Sequence, residues 1–141
     1  MKLTFGDHIG GRAATGLLIV RIVFGVAMAL HGWGKIQHPF SWMGPGATVP
    51  GIVQSLAALS EFGGGIALVL GLLTPVAMFG WVCTMLYAIF MVHMKAGQPF
   101  VAQGAGPSYE KAALFLAVAL LMIFTGPGAH SLDAKLFGKK S

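Results

Sequence analysis

The chain of 141 residues has the composition of a membrane protein, with only 9% charged residues and 56% hydrophobic residues. A soluble domain carries about 25% charged residues and needs them to cover its surface. The net charge is +5, but no basic run exceeds two residues, so we expect Lys and Arg to set membrane topology rather than to bind nucleic acid. The single cysteine excludes an internal disulfide and a cysteine-based metal site, and we predict no metal centre.

Four apolar stretches predict four transmembrane helices. They cover about 13–33, 52–73, 74–94 and 109–125, close to the ~20 residues that a helix needs to cross a bilayer. Thr74-Pro75 suits the first turn of the third helix, and Gly126-Pro127-Gly128 is typical of a helix end. Because no internal repeat is visible, we predict an all-α fold in which residues 1–141 form one domain, a four-transmembrane-helix bundle.

The basic residues predict the orientation of this bundle. Four spans put both termini on the same side of the membrane, and Lys and Arg are enriched on the cytoplasmic side of membrane proteins. The five on the terminal side are Lys2, Arg12, Lys135, Lys139 and Lys140, and the three on the other side are Lys35, Lys95 and Lys111. We therefore predict that both termini are cytoplasmic.

Two ionisable side chains fall inside the first two spans, where such groups are costly and usually face the interior of a bundle. Arg21 lies about 12 Å into its span, and Glu61 lies about 16 Å from the same edge on the antiparallel span. We therefore predict an Arg21–Glu61 contact near the middle of the membrane. A purely structural salt bridge that fixes helix pairing is an equally good interpretation, and such a pair can still border a ligand cavity.

Further polar side chains are predicted toward the outer side of the bundle. They are His31 and Lys35 on the arc of span one that carries Arg21, Gln54 on the Glu61 face of span two, His93 at the end of span three, and Glu110 at the start of span four. From their depth and facing we predict a cavity lined by His31, Lys35, Glu61 and His93. The alternative is that polar groups at helix ends extend to the membrane surface, which is a strong interpretation for Lys95 and Lys111.

The same residues resemble motifs of the DoxX family of small bacterial and archaeal membrane proteins. The matching motifs are Arg21, His31-Gly32-x-x-Lys35, Glu61-Phe62-Gly63-Gly64, Gly71-Leu72-Leu73-Thr74-Pro75, Glu110-Lys111-Ala112-Ala113-Leu114, Gly126-Pro127-Gly128 and Ser131-Leu132-Asp133. The resemblance implies a four-helix, multi-pass protein of the cytoplasmic (inner) membrane. The family name comes from a subunit associated with terminal quinol oxidase and thiosulfate:quinone oxidoreductase, so it also implies an association with redox enzymes.

The leading functional hypothesis is a subunit of a quinone-linked oxidoreductase that binds a quinone or another small ligand between its helices. Such a site needs an apolar slot, hydrogen-bond donors at the carbonyl groups and a route for protons. His31, Lys35 and His93 are expected to donate, while Glu61 and Glu110 are expected to carry protons.

Three alternatives remain open at this point. The chain lacks a soluble catalytic domain, which fits a non-catalytic anchor or assembly partner of another protein complex. Buried Arg and Glu also line transport paths, although four short helices make a pore only in a homo-oligomer. A haem b held by His31 and His93 is the least favoured, since two histidines at similar depth are expected by chance among five. In every case we expect contact with membrane lipid.

Overall fold

The computed structural model describes residues 8–138, which are all-helical and contain no strand. The helices are α1 (Gly11–Gln37), α2 (Gly51–Leu70), α3 (Thr74–Tyr87, continued by a π-helix over Ala88–His93), α4 (Glu110–Thr125) and α5 (Leu132–Phe137). Three segments of the described residues are long and apolar enough to cross a membrane: α1, α2 and the continuous helix Thr74–His93. The fourth predicted span corresponds to α4, which has 16 residues.

Small residues bring α1 and α2 into close antiparallel contact. A Cβ atom at Gly65 would lie 2.6 Å from the backbone nitrogen of Ala29 and from the carbonyl oxygen of Gly25. A Cβ atom at Gly32 would overlap the backbone of Phe62. Such contacts let helix backbones approach closely in a membrane, where no hydrophobic effect drives helices together. These glycines therefore fix the register between α1 and α2.

The turn between α2 and α3 is very short because Gly71 adopts a left-handed conformation, with φ of 64°. The N-terminus of α3 has no capping side chain of its own. Asp133 replaces it, since its carboxylate oxygens accept hydrogen bonds from the backbone N–H groups of Leu73 (2.7 Å) and Thr74 (2.9 Å). The segment after α4 thus folds back onto this end of the bundle and closes the α2–α3 turn.

Apolar side chains cover both the inside and the outside of the bundle. Inside, the ring of Phe115 makes edge-to-face contacts with Phe24 and Trp81, with 5.6 Å between centroids in each case. Outside, large apolar side chains are exposed on every long helix, among them Leu30, Leu56, Phe79 and Phe124. A protein with such a surface is stable in lipid rather than in water, in agreement with the composition.

Candidate functional site

A cavity of about 370 Å³ lies between the long helices. Its volume is in the range of small-molecule sites. The lining residues are Met28, His31 and Lys35 from α1, Glu61 from α2, Met85, Ala88 and His93 from α3 and its π-helical end, and Gly106, Pro107, Ser108, Lys111, Ala112 and Phe115 from α4 and the segment before it. The four residues predicted to share a cavity, His31, Lys35, Glu61 and His93, therefore line the same one.

An ion pair forms part of the cavity wall. The ammonium group of Lys35 donates a hydrogen bond to Oε1 of Glu61 at 2.7 Å, and the side chain of Glu61 is only 5% exposed against 28% for Lys35. The second carboxylate oxygen, Oε2, is buried and has no hydrogen-bond partner among residues 8–138. Buried polar atoms are nearly always hydrogen-bonded, and Oε2 of Glu61 is one of four buried side-chain atoms without a partner among residues 8–138.

The loop after α1 holds Lys35 in place. The Lys35 ammonium lies 4.4 Å from the centre of the Trp42 ring, a cation–π contact. Trp42 in turn donates its indole N–H to the carbonyl oxygen of Gln54 at 2.8 Å. The Gln54 side chain bonds to the backbone of Met43 and Val49. Gln54 does not line the cavity; it attaches the loop to α2 and so supports Trp42 and Lys35.

Each of the two cavity histidines makes one hydrogen bond through Nδ1. Nδ1 of His31 lies 2.9 Å from the carbonyl oxygen of Ala27, and Nδ1 of His93 contacts Oε1 of Gln98. A backbone carbonyl oxygen only accepts hydrogen bonds, so the contact with Ala27 requires a proton on Nδ1 of His31. The expectation that both histidines donate to a ligand stays a prediction.

The π-helix contributes two of the cavity residues, Ala88 and His93. Its wider turn is seen in the hydrogen bond from the N–H of Met94 to the carbonyl oxygen of Ile89, five residues back. Single π-turns inside α-helices are rare and occur frequently at functional sites. The extra residue in this turn rotates His93 relative to the face that a regular helix would give it.

Arg21 does not contact Glu61, so the predicted pair is wrong. The guanidinium of Arg21 is 1% exposed and donates four hydrogen bonds to backbone carbonyl oxygens: those of Leu68, Val69, Pro127 and His130, at 2.8–2.9 Å. The carboxylate of Asp133 adds a negative charge nearby. Arg21 therefore ties the C-terminal end of α2 and the turn after α4 to α1, whereas the cavity meets α2 at Glu61, in the middle of that helix.

The error lies in the register between α1 and α2. The contacts of Gly25 with Gly65 and of Gly32 with Phe62 put Arg21 level with the last turn of α2. Glu61 is then about nine residues, or ~14 Å, away along the helix axis. The prediction assumed that both spans begin at the membrane edge, whereas α1 continues to Gln37 and carries Lys35 to the level of Glu61.

Glu110 is the remaining predicted site residue, and it does not line the cavity. Glu110 is the first residue of α4, where the positive end of the helix dipole stabilises its carboxylate. Its neighbour Lys111, interpreted from the sequence as a surface lysine, lines the cavity instead. Trp42 was missed altogether, since a loop residue has no periodicity that would point to its neighbours.

Comparisons with known proteins identify the family of the chain and two relatives. The DoxX family model matches residues 16–94. The chain is 36% identical over 133 residues to inner membrane protein YqjF of Escherichia coli (strain K12), covering 89% of this chain and 94% of that protein. It is also 35% identical over 127 residues to an uncharacterized protein of Haemophilus influenzae, covering 87% of this chain and 92% of that one.

No solved structure matches the chain significantly. The family match covers more than half of the chain, and both relatives align along nearly their whole length. The apolar helices of the described residues fit the location that the name of the Escherichia coli relative states. The chain belongs to the DoxX family and is a multi-pass integral protein of the inner membrane.

Proposed function

We propose that this DoxX-family protein is a redox-associated membrane subunit that binds a quinone or another small ligand in the cavity between its helices. The observation that carries the proposal is the Lys35–Glu61 pair, which lies in the wall of a cavity built from all four long helices. Ionisable groups at membrane depth are expensive to keep and mark functional sites more often than packing sites.

The walls of the cavity suit a ring with oxygen substituents. Met28, Met85 and Phe115 provide apolar and aromatic surface, against which a flat ring packs well. The polar groups stand among these apolar walls and supply both donors and acceptors: the ammonium groups of Lys35 and Lys111 donate, and the carboxylate of Glu61 accepts. A mostly apolar slot with a few polar groups is the usual form of a small-molecule site.

Our proposal includes α4 as a fourth span. Its 16 residues are about 24 Å long, somewhat less than the ~30 Å hydrocarbon core. Lys111 is the only basic residue of α4 and lies in its first turn, from which its long side chain can reach the interface. A short span is accommodated by local thinning of the bilayer at modest cost.

The proposal also includes the orientation of the chain. Four spans put both termini on one side of the membrane, and the distribution of Lys and Arg favours a cytoplasmic location for both termini.

The test is a native purification in lipid nanodiscs followed by mass spectrometry of the bound small molecules. Ala88 lines the cavity, so Ala88→Phe should fill it and remove a bound quinone. Ala13→Phe is the matched control, because Ala13 is exposed on α1 and does not line the cavity. We expect quinone with the wild type and the control and little with Ala88→Phe. Equal amounts in all three, or none in any, would refute the proposal.

A second candidate is a membrane anchor or assembly partner of another protein. Phe40 and Phe100 lie in the two long connections and are 62% and 51% exposed, and aromatic side chains are enriched in protein–protein interfaces. The same purification distinguishes the two functions. A stoichiometric protein partner without a bound quinone would favour the anchor.

A further inference from the structure

We propose that the end of the bundle at which the described residues begin and finish carries a binding surface for the headgroup of an anionic phospholipid. The surface consists of Ile9 and Arg12, at the start of α1, and of Lys135 and Leu136 on α5. None of these residues lines the cavity, so the surface is independent of the ligand proposed there.

The start of α1 and the short helix α5 lie side by side. The backbone N–H of Ala129, three residues before α5, donates a hydrogen bond to the carbonyl oxygen of Ile9 at 2.8 Å. At the other end of α5, a Cβ atom at Gly138 would lie 3.6 Å from Cδ2 of His8. Both ends of α5 are therefore held against the segment that leads into α1, and the two segments form one surface.

The helix α5 buries its acidic residue and exposes a basic and an apolar one. Asp133 is 1% exposed, and its carboxylate is used by the backbone N–H groups at the start of α3. Lys135 and Leu136 are exposed, the latter to 63%. An exposed large apolar side chain beside a basic one is typical of a helix that lies in the membrane interface.

This end of the bundle also carries an excess of positive charge. Arg12, in the first turn of α1, and Lys135 are both exposed, and neither has an ion-pair partner within 4.0 Å among residues 8–138. The one acidic residue described here, Asp133, lies near the buried Arg21. In the sequence, the segments before residue 8 and after residue 138 add three cations and one anion: Lys2, Lys139, Lys140 and Asp7. Exposed cations of this kind suit the phosphate group of a lipid.

The position of Arg12 along α1 agrees with the depth of lipid phosphate groups. The apolar stretch of α1 begins directly after Arg12, whereas Arg21 lies about 14 Å further along the helix. Because Ala129 is bonded to Ile9, α5 lies at the same level, where Leu136 can reach the acyl chains. Basic residues at this level attract anionic lipids, and each Lys or Arg contributes about 5-fold in affinity.

The test measures the phospholipids that the full-length chain retains when it is extracted with mild detergent from membranes of equal phosphatidylglycerol and phosphatidylcholine content. Mass spectrometry of the retained lipids should show a preference for phosphatidylglycerol. Arg12→Gln and Lys135→Gln should each lower this preference by about 5-fold, and the double variant by about 25-fold. Lys95→Gln is the matched control, since it removes an exposed lysine beyond the other end of the helix Thr74–His93, and it should leave the preference unchanged.

The wild type alone provides a second measurement that does not depend on how the variants fold. Its preference should fall when the extraction is repeated at about 1 M salt, where exposed charges are screened within about 3 Å. An undiminished preference at high salt, or an equal preference in the wild type and the double variant, would overturn the inference. An equal loss in Lys95→Gln would do the same, because it would indicate an effect of total charge.

A final arm separates the lipid from a soluble phosphate compound. Inorganic phosphate should displace no more phosphatidylglycerol than chloride does at the same ionic strength, because phosphate lacks the acyl chains that contact Leu136. Specific displacement by inorganic phosphate would assign the surface to a soluble anion and overturn the inference.

Discussion

The Lys35–Glu61 pair gives a quantitative prediction, because its two side chains are buried to different extents. We consider the single substitutions Lys35→Met and Glu61→Gln and the double variant. Methionine keeps the length and the apolar stem of lysine, and glutamine keeps the shape of glutamate, so each change removes mainly a charge. The measured quantity is the free energy of unfolding of the purified protein.

The difference in burial predicts unequal costs. Lys35→Met leaves the Glu61 carboxylate, 5% exposed, without its counter-ion, and removing one partner of a buried pair costs about 3 kcal/mol. Glu61→Gln leaves Lys35, which is 28% exposed and can turn its ammonium toward water, so that the cost is nearer to ~1 kcal/mol. The double variant contains no unpaired charge and should lose about 1.5 kcal/mol, which gives a coupling energy of about 2.5 kcal/mol.

Titration with SDS in mixed micelles, followed by tryptophan fluorescence and circular dichroism, yields these free energies. The matched control replaces the other lysine of the cavity, in Lys111→Met with and without Glu61→Gln. Lys111 has no ion-pair partner within 4.0 Å among residues 8–138, so its coupling to Glu61 should stay below about 0.5 kcal/mol. Additive effects of Lys35→Met and Glu61→Gln, or an equal coupling for Lys111→Met, would refute the reasoning.

Three further predictions concern the rest of the fold. Arg21→Lys should destabilise the protein by about 2–4 kcal/mol in the same SDS titration, because one ammonium cannot reach carbonyl oxygens on both α2 and the turn after α4. An unchanged unfolding midpoint would contradict this role of Arg21. Gly32→Ala should cost about 1–3 kcal/mol by pushing α1 from α2, whereas Gly34→Ala, with nothing within 4 Å, should be neutral or slightly stabilising. In a Cys83→Ser background, Lys135→Cys should react with an impermeant maleimide only after cell lysis; labelling of intact cells would invert the proposed topology.

The positions of the helices were predictable because hydropathy and helix-stop residues are local properties of the sequence. The end of α4 at Thr125 follows from the Gly-Pro-Gly sequence after it, where Gly126 has φ of 71°. The start of α3 follows similarly from Thr74-Pro75. Local patterns of this kind do not depend on how helices pack, so they hold before any tertiary contact is known.

The partner of each buried charge was not predictable in the same way, because it depends on the register between helices. A shift of one helical turn moves a side chain by 5.4 Å, more than the length of a hydrogen bond. The register of α1 against α2 is set by Gly25, Gly32 and Gly65, and the sequence indicates only that such glycines allow close packing. Depth counted from assumed span edges therefore assigned Glu61 to Arg21 instead of Lys35.

The two buried charged sites of the bundle differ in how completely their hydrogen bonds are satisfied, and this difference separates fold from function. The guanidinium of Arg21 donates four hydrogen bonds to backbone carbonyl oxygens, whose dipoles stabilise its charge. Most of its donor capacity is therefore used within the protein, and little remains for a ligand. Glu61 keeps one buried oxygen unpaired in a cavity wall, which costs stability unless something else supplies a hydrogen. Our proposal therefore places the ligand in the cavity around Glu61 rather than at the more deeply buried arginine.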